Sequence, residues 1–371
     1  MIGIYCHHTS RFSRNTGIQR CLRATARALA ERGVPLVPLV WSQWAQGLAL
    51  ADAEARRHLA AWSGPPLQVW RDQLPPEGGW LLVVELISGP YHPSQRWLRR
   101  LADRRGWRLA AVFHDAIPLA WGGEPARHHS AYMQGLADYD LVLATSATSR
   151  EALEAFWHGA LTQPPRAQLH TLPLAAEIPG ATRCQPQPSA RTGPLRLLCV
   201  GSLEPRKNHR RLLQALAWLQ AQDRLQASVQ LVGWANDARV VASVRRAQRL
   251  GLPLAWDPEA DDQALLRHYM ACDLSLYPSL QEGFGLPVLE SLWLGKPCLV
   301  GQAPALRDQA AGGGCLVVNT AAWRPLAEAI DHLQRQPEQL QRLRHELAAR
   351  PLRSWGDYVA SMLQLMRSCS L

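Results

Sequence analysis

Lysine is almost absent from this sequence. Of 40 basic residues against 30 acidic ones, only Lys207 and Lys296 are lysines, so the net charge of +10 is carried by arginine. Three readings of that charge stand: a GC-rich codon bias that scatters arginine over the surface, a local basic face that meets anionic lipid, and nucleic-acid binding. No DNA- or RNA-binding motif accompanies the charge, and no nucleic-acid partner is expected. The cluster Arg96, Arg99, Arg100, Arg104, Arg105 and Arg108 keeps peripheral contact with an anionic membrane among the expectations.

Other absences narrow the class further. No run approaches the roughly 18 uninterrupted apolar residues of a membrane span. The stretch Met1–Tyr5 reads as an opening strand, with no basic segment leading into an apolar block. A signal peptide is therefore not expected, and the expected compartment is the cytoplasm, with the inner face of the membrane as a place of peripheral contact. The eight cysteines form no C-x-x-C pair and lie in apolar runs, which points to free buried thiols rather than a zinc site or a disulfide framework. His7-His8 and His128-His129 are adjacent pairs without helical ligand spacing, so no metal site is expected from them.

What the chain does have is 47% hydrophobic residues over a length that suits two domains. Short apolar runs alternate with helical patterns: strands over 1–6, 34–40, 81–87, 108–113 and 140–144, and a helix over 17–32 that stops at Gly33. The stretch 178–194 loses periodicity and becomes Pro- and Gln-rich, the signature of a linker. A second alternating series follows, with strands over 196–200, 228–232, 274–277 and 297–300. Its helices are expected over 208–219, 238–250, 261–270, 286–294 and 324–334. Near-continuous apolar strands between helices indicate parallel sheets covered on both faces. The fold class is α/β, two doubly wound Rossmann-like domains facing across a cleft, with ligands at the carboxyl ends of the strands. The domains fall at 1–178 and 194–350 around a linker at 179–193. A C-terminal amphipathic helix, 354–371, carries Trp355, Tyr358, Met362, Leu365 and Met366 as an apolar stripe packed back on the N-terminal domain.

Two segments carry chemistry. In Cys199-Val200-Gly201-Ser202-Leu203-Glu204-Pro205-Arg206-Lys207-Asn208, a strand runs into a small-residue turn and a helix start with Asn208 as its N-cap. Arg206 and Lys207 are adjacent cations at the end of that strand. Fixed there, they stabilise the charge that grows on a leaving diphosphate without a metal; a solvated basic helix start is the plainer reading of this segment alone. The second segment is Tyr277-Pro278-Ser279-Leu280-Gln281-Glu282-Gly283-Phe284-Gly285-Leu286-Pro287-Val288-Leu289-Glu290. Gly283 and Gly285 allow a tight turn and a close approach of backbone to a ligand. Pro287 suits a first helical turn, whose free N–H groups face an anion. Glu282 in the loop and Glu290 in the helix are two carboxylates able to accept from paired hydroxyls.

With these residues the chain resembles the retaining glycosyltransferases of family 4, which have the GT-B fold. The resemblance spans 194–320 and rests on Val200–Asn208 and on Pro278–Glu290, with Ser202 standing where many members carry Arg. It implies that Arg206 and Lys207 hold the donor diphosphate, that Glu282 faces hydroxyls of the transferred sugar, and that Glu290 faces the ribose. Backbone N–H groups of Phe284, Gly285 and Leu286 line the sugar and phosphate, and Gly201 opens the first loop. In the N-terminal half the match is looser. Gly17 in Asn15–Arg20 takes the place of a glycine that approaches the donor phosphate. His114 in Phe113–Pro118 sits over the sugar by the same resemblance, or is a satisfied histidine at a strand end. Leu254, Ala255 and Trp256 border the nucleobase. Asp138-Tyr139-Asp140 has the form of a metal-binding D-x-D but runs straight into a strand, and reads as a chance match.

The resemblance implies a retaining, metal-independent hexosyltransferase of cell-surface polysaccharide assembly, with no cofactor beyond its GDP- or UDP-linked sugar donor. The acceptor is a saccharide or lipid-linked saccharide, and by the same resemblance the N-terminal domain, 1–178, binds the acceptor and the C-terminal domain, 194–350, the nucleotide-sugar donor. Thr16–Arg20 and His114–Pro118 are similar to segments of mannosyl- and rhamnosyl-type enzymes, which favours mannose. Two alternatives stay open: a nucleotide-sugar 2-epimerase-like enzyme that acts on the donor alone, and a non-catalytic nucleotide- or sugar-binding protein.

Overall fold

A computed structural model of the chain describes residues 1–12, 15–89, 91–187 and 193–369. They fall into two compact units, one of Met1–Ala175 with Arg353–Leu371, the other of Ala176–Leu352.

The first unit is built on a seven-stranded sheet. Its strands are β1 (Ile2–Tyr5), β2 (Leu36–Ser42), β3 (Gly47–Leu50), β4 (Trp80–Val83), β5 (Arg108–Phe113), β6 (Leu141–Ala144) and β7 (Gln168–Thr171), in the order β3-β2-β1-β4-β5-β6-β7. Every pairing is parallel except β2 with β3, a short antiparallel edge closed by a turn. Its helices are α1 (Gly17–Glu31), α2 (Ala53–Ala60), α3 (Gln95–Arg105), α4 (Gly123–Leu136) and α5 (Ala147–Ala160). α1 starts at a capping box in which the Thr16 side chain takes the Gln19 amide and the Gln19 side chain takes that of Thr16. β1, β4, β5 and β6 are buried over almost their whole length, as strands covered on both faces must be. β4 ends at Val83, short of the strand expected to Ile87, and the chain bends there so that Glu85 turns into the interior.

The second unit has six parallel strands, β8 (Leu195–Val200), β9 (Ala227–Val232), β10 (Leu254–Asp257), β11 (Leu274–Tyr277), β12 (Cys298–Val300) and β13 (Cys315–Val317), in the order β10-β9-β8-β11-β12-β13. Around them lie α6 (His209–Ala221), α7 (Ala238–Arg249), α8 (Asp262–Ala271), α9 (Leu286–Trp293), α10 (Pro304–Ala310), α11 (Trp323–Arg335) and α12 (Pro337–Ala349). One core runs from Leu195 and Leu197 on β8 through Leu212 and Leu216 on α6 to Leu326 and Ile330 on α11. The Pro- and Gln-rich stretch is not a free tether where it is described. Cys184 N–H donates to the Trp293 carbonyl at 2.9 Å and the Trp293 indole donates to that of Ala181 at 3.0 Å, both within the second unit. Residues 188–192 of the expected linker lie outside the described residues.

The last helix, α13 (Trp355–Ser368), returns to the first unit and packs on α1. It starts at a capping box between Ser354 and Asp357. Trp355, Tyr358, Val359, Met362 and Met366 are buried, each worth about 2 kcal/mol of apolar transfer; Leu365, expected in the same stripe, is half-buried. Among the described residues no helix is long and apolar enough to cross a membrane. All eight cysteines are free, but Cys184, Cys315 and Cys369 are only half-buried.

Candidate active site

In the second unit the strand order reverses between β8 and β11, the place where doubly wound sheets open a crevice. The loops leaving these two strands carry the two chemistry-bearing segments. Leu280 N–H donates to the Arg206 carbonyl at 2.8 Å, tying one loop to the other. Asn208 completes the tie. It stands at the N-terminus of α6 in a left-handed conformation, φ 61°, but makes no side-chain cap. Its amide instead donates to the carbonyls of Pro278 at 3.0 Å and Thr320 at 2.7 Å. The expected N-cap is thus a clamp across three loops, because the left-handed backbone turns the side chain away from the helix.

The charged groups form one network. Lys207 Nζ donates to Glu282 Oε1 at 2.6 Å and Arg206 Nη1 to Glu282 Oε2 at 3.1 Å. Arg206 Nη2 also lies 2.7 Å from Glu204 Oε1, which accepts from Ser202 Oγ at 2.9 Å. The cations expected to await a diphosphate are therefore neutralised by two acids. Burial pushes the Glu282 carboxyl upward, yet Lys207 and Arg206 beside it, with hydrogen bonds from Lys207 and Ser279, hold it below its ordinary value. It is an ionised, acceptor-only group at neutral pH.

Glycine is needed here for approach. Gly233, after β9, has φ 142°, and a Cβ on it would lie 2.3 Å from the Gly201 carbonyl oxygen. A Cβ on Gly201 itself would come 3.5 Å from the Lys207 side chain. Trp256 on β10 donates its indole N–H to the Gly233 carbonyl at 2.9 Å, so Trp256, Gly233, Gly201 and Lys207 run side by side along the strand ends. Gly285, at φ 88°, begins α9, and Phe284 and Leu286 on either side of it are buried. In that first turn Pro287 has no N–H and the Val288 N–H donates to the Gly285 carbonyl at 3.0 Å, so the Leu286 N–H is the donor that precedes the helical ladder. Glu290, one turn on, is fully buried and accepts from the Tyr269 hydroxyl at 3.3 Å.

Two of the expected site residues belong to the first unit. His114 follows β5; its Nε2 faces the Val84 carbonyl at 2.7 Å and therefore carries the proton, leaving Nδ1 as the acceptor. Burial lowers its pKa, against the pull of the Val84 carbonyl and Asp115, so the ring is neutral. Gly17 is the first residue of α1, and a Cβ there would meet nothing among the described residues within 4 Å. Neither packing nor backbone demands glycine at that position. Asp140 of the D-x-D is a structural acid: it takes Arg99 at 2.9 Å, Arg166 at 2.7 Å and the Leu109 N–H at 2.8 Å. Among the described residues no group of three or more His, Cys, Asp or Glu is set to hold a metal. Asn208 and Thr320 were not legible as a pair, since 112 residues separate them; Glu204 stands inside a segment already singled out.

A fold of two doubly wound units, with a glycine-lined crevice of paired charges at the strand ends of the second, defines the class. The family described as glycosyl transferases group 1 matches residues 183–349. A D-inositol 3-phosphate glycosyltransferase of Frankia alni is 34% identical over 360 residues, covering 86% of each chain. This chain belongs to the glycosyl transferases group 1 family. A serotype-specific mannosyltransferase of Escherichia coli is 28% identical over 229 residues, 58% of this chain and 28% of that one. An O-antigen chain mannosyltransferase of the same species is 35% identical over 122 residues, 32% of this chain and 31% of that one. The chain thus spans less than a third of the length of these two relatives. Among solved structures, a sucrose-phosphate synthase from Thermosynechococcus elongatus shares the fold with a TM-score of 0.69 at 17% identity, over 99% of this chain and 98% of that one. Anabaena HepE, solved with UDP and glucose, has a TM-score of 0.63 at 15% identity, over 100% and 99% of the two chains.

Proposed function

We propose that this chain is a retaining hexosyltransferase of family 4 that moves mannose from a nucleotide diphosphate to a saccharide or lipid-linked saccharide in surface polysaccharide assembly. The observation that carries the reading is Glu282 held by both Arg206 and Lys207 at the strand ends of the second unit. The donor diphosphate displaces the carboxylate from the two cations, and the freed Glu282 accepts from hydroxyls of the sugar. The acceptor oxygen attacks the anomeric carbon from the side of the leaving group, and the bond from carbon to phosphate oxygen breaks. Its electron pair goes to the diphosphate, which Arg206, Lys207 and the α9 N-terminus stabilise, and the leaving oxygen takes the acceptor's proton. Positive charge from side chains serves where other transferases use a metal, hence the reading as metal-independent. Ribose contact with Glu290 requires the Tyr269 hydroxyl to give way.

Mannose is favoured by the two E. coli relatives named as mannosyltransferases. UDP in the HepE structure keeps a UDP-linked donor as the rival to a GDP-linked one. Exposed Arg96, Arg100, Arg104 and Arg105 on and beside α3 support contact with an anionic membrane. The test is a thermal-shift screen against GDP, UDP, ADP and TDP with and without magnesium, followed by NMR of the product. A shift with GDP that needs no magnesium, and an α-mannoside from the α-linked donor, is the expected result. A β-linked product overturns retention, and a shift with UDP alone overturns the donor.

A further inference from the structure

Two fully buried ionisable side chains in the first unit take no part in that mechanism, and both reach the chain between β1 and α1. Glu85, 1% exposed, lies just beyond β4; its Oε1 accepts from His8 N–H at 2.6 Å and its Oε2 from Thr9 N–H at 2.9 Å and Thr9 Oγ1 at 2.7 Å. Arg23, equally buried on α1, donates to the Phe12 carbonyl at 3.3 Å, to Asn15 Oδ1 at 2.9 Å and to the His58 carbonyl at 3.0 Å. Burying an ion is costly unless it is paired and hydrogen-bonded. Glu85 holds His8 and Thr9, and Arg23 ties Phe12 and Asn15 to α2; β1 and β4 flank the point where this sheet's strand order reverses. The chain between β1 and α1 also walls a cavity of about 560 Å³, lined by His7, Ser10, Arg11, Trp41, Asp52 and His58. Arg11 Nη1 donates to His7 Nε2 at 3.3 Å, and His58 Nδ1 donates to the Ser10 carbonyl at 2.7 Å.

We propose that Glu85 and Arg23 are positioning residues that hold the β1–α1 loop as the wall of an acceptor-saccharide site. This rests on the function proposed above: with the diphosphate assigned to the second unit, the substrate left for a cavity in the first is the acceptor. A lining that mixes a guanidinium donor (Arg11), a histidine whose remaining ring nitrogen accepts (His58), two acids (Asp52 and Glu54) and an indole suits a polyhydroxylated ligand. A phosphate would meet Asp52 as a like charge.

The test compares wild type with Glu85→Gln, which keeps the volume but offers one acceptor oxygen, and with the milder Thr9→Val. Two readouts are needed: hydrogen exchange in the peptide 6–12, and kinetics with GDP-mannose as donor and octyl α-mannoside as acceptor probe. In Glu85→Gln the peptide exchanges about tenfold faster while β4 and β5 keep their protection. Acceptor KM rises about tenfold, with donor KM unchanged and kcat within about threefold. Thr9→Val moves both in the same direction by less. A merely structural role lowers Tm and shifts all kinetic constants together, and that outcome, or an unchanged acceptor KM, overturns the assignment. Unchanged exchange refutes the clamp whether or not the chain transfers sugar. Faster exchange in a wild type inactive with every donor keeps the clamp and rejects the functional reading instead.

Discussion

The two units share one architecture but treat charge in opposite ways at the carboxyl ends of their strands. In the second, Arg206, Lys207, Glu204 and Glu282 stand partly open and pair with each other. In the first, Glu85 and Arg23 are sealed inside and satisfy backbone groups of a loop and, for Arg23, of α2. On the proposed function, the charges that meet a ligand are held in exchangeable pairs, where an incoming anion replaces one partner with another. Charges meant to hold a loop are buried, where water cannot compete and the geometry stays rigid.

The largest expected effect tests the exchangeable pairs. Lys207→Ala lowers kcat by about 10²–10³ through loss of charge stabilisation. It also costs about 2 kcal/mol of stability, less than for a fully orphaned buried ion because Arg206 remains beside Glu282. Adding Glu282→Gln restores stability in urea titration but not activity. Recovery of both in the double variant would mean the pair is structural, and the contrast between the units would collapse.

A second expectation concerns a buried group that sits behind the crevice. His209, at the start of α6, is buried with Nδ1 unpartnered among the described residues; burial, and then Lys207, lowers its pKa from 6.5 to about 4. The unfolded chain therefore takes up a proton first as pH falls. Stability present above pH 6.5 is lost between pH 6.5 and about 4, by up to about 3 kcal/mol from this one residue. His209→Gln flattens that part of the curve in unfolding titrations. Because burial depresses His7 and His92 of the first unit in the same direction, a slope remains, and its size measures their share.

The smallest expected effect falls in the first unit. Gly17→Ala meets open space, so it leaves stability unchanged or raises it by about 0.5 kcal/mol. If the glycine leaves room for a donor phosphate, donor KM nevertheless rises about tenfold in steady-state assays. Unchanged kinetics would remove Gly17 from the site and leave donor binding wholly to the second unit.

Much of the second unit was legible because its chemistry is local. The run from Glu282 to Glu290 holds a turn, a glycine at positive φ, a proline in the first helical turn and two carboxylates, each readable from its neighbours. Strand 274–277 fell where periodicity put it, and Ala238–Arg249 ended one residue short of the expected helix. Where a residue's role depends on a remote partner, reading failed. Asn208 passed for a cap although its amide serves Pro278 and Thr320. Val84–Ile87 passed for strand because an apolar run does not disclose the bend that turns Glu85 inward. The short edge strand Gly47–Leu50 carried too few residues for alternation to show.

The sequence by itself determined two α/β units, the alternation of buried strands with helices in them, and the cations, carboxylates and glycines of two loops of the second unit. Those follow from hydrophobic period, turn residues and side-chain type, which act over a few residues of chain. Only the tertiary structure decided that the cations are already neutralised by Glu282 and Glu204, that Glu290 is sealed under Tyr269, and that Glu85 and Arg23 grip one loop. Each of these depends on groups many residues apart brought within 3 Å or so by packing, and on the loss of water that makes their charges count.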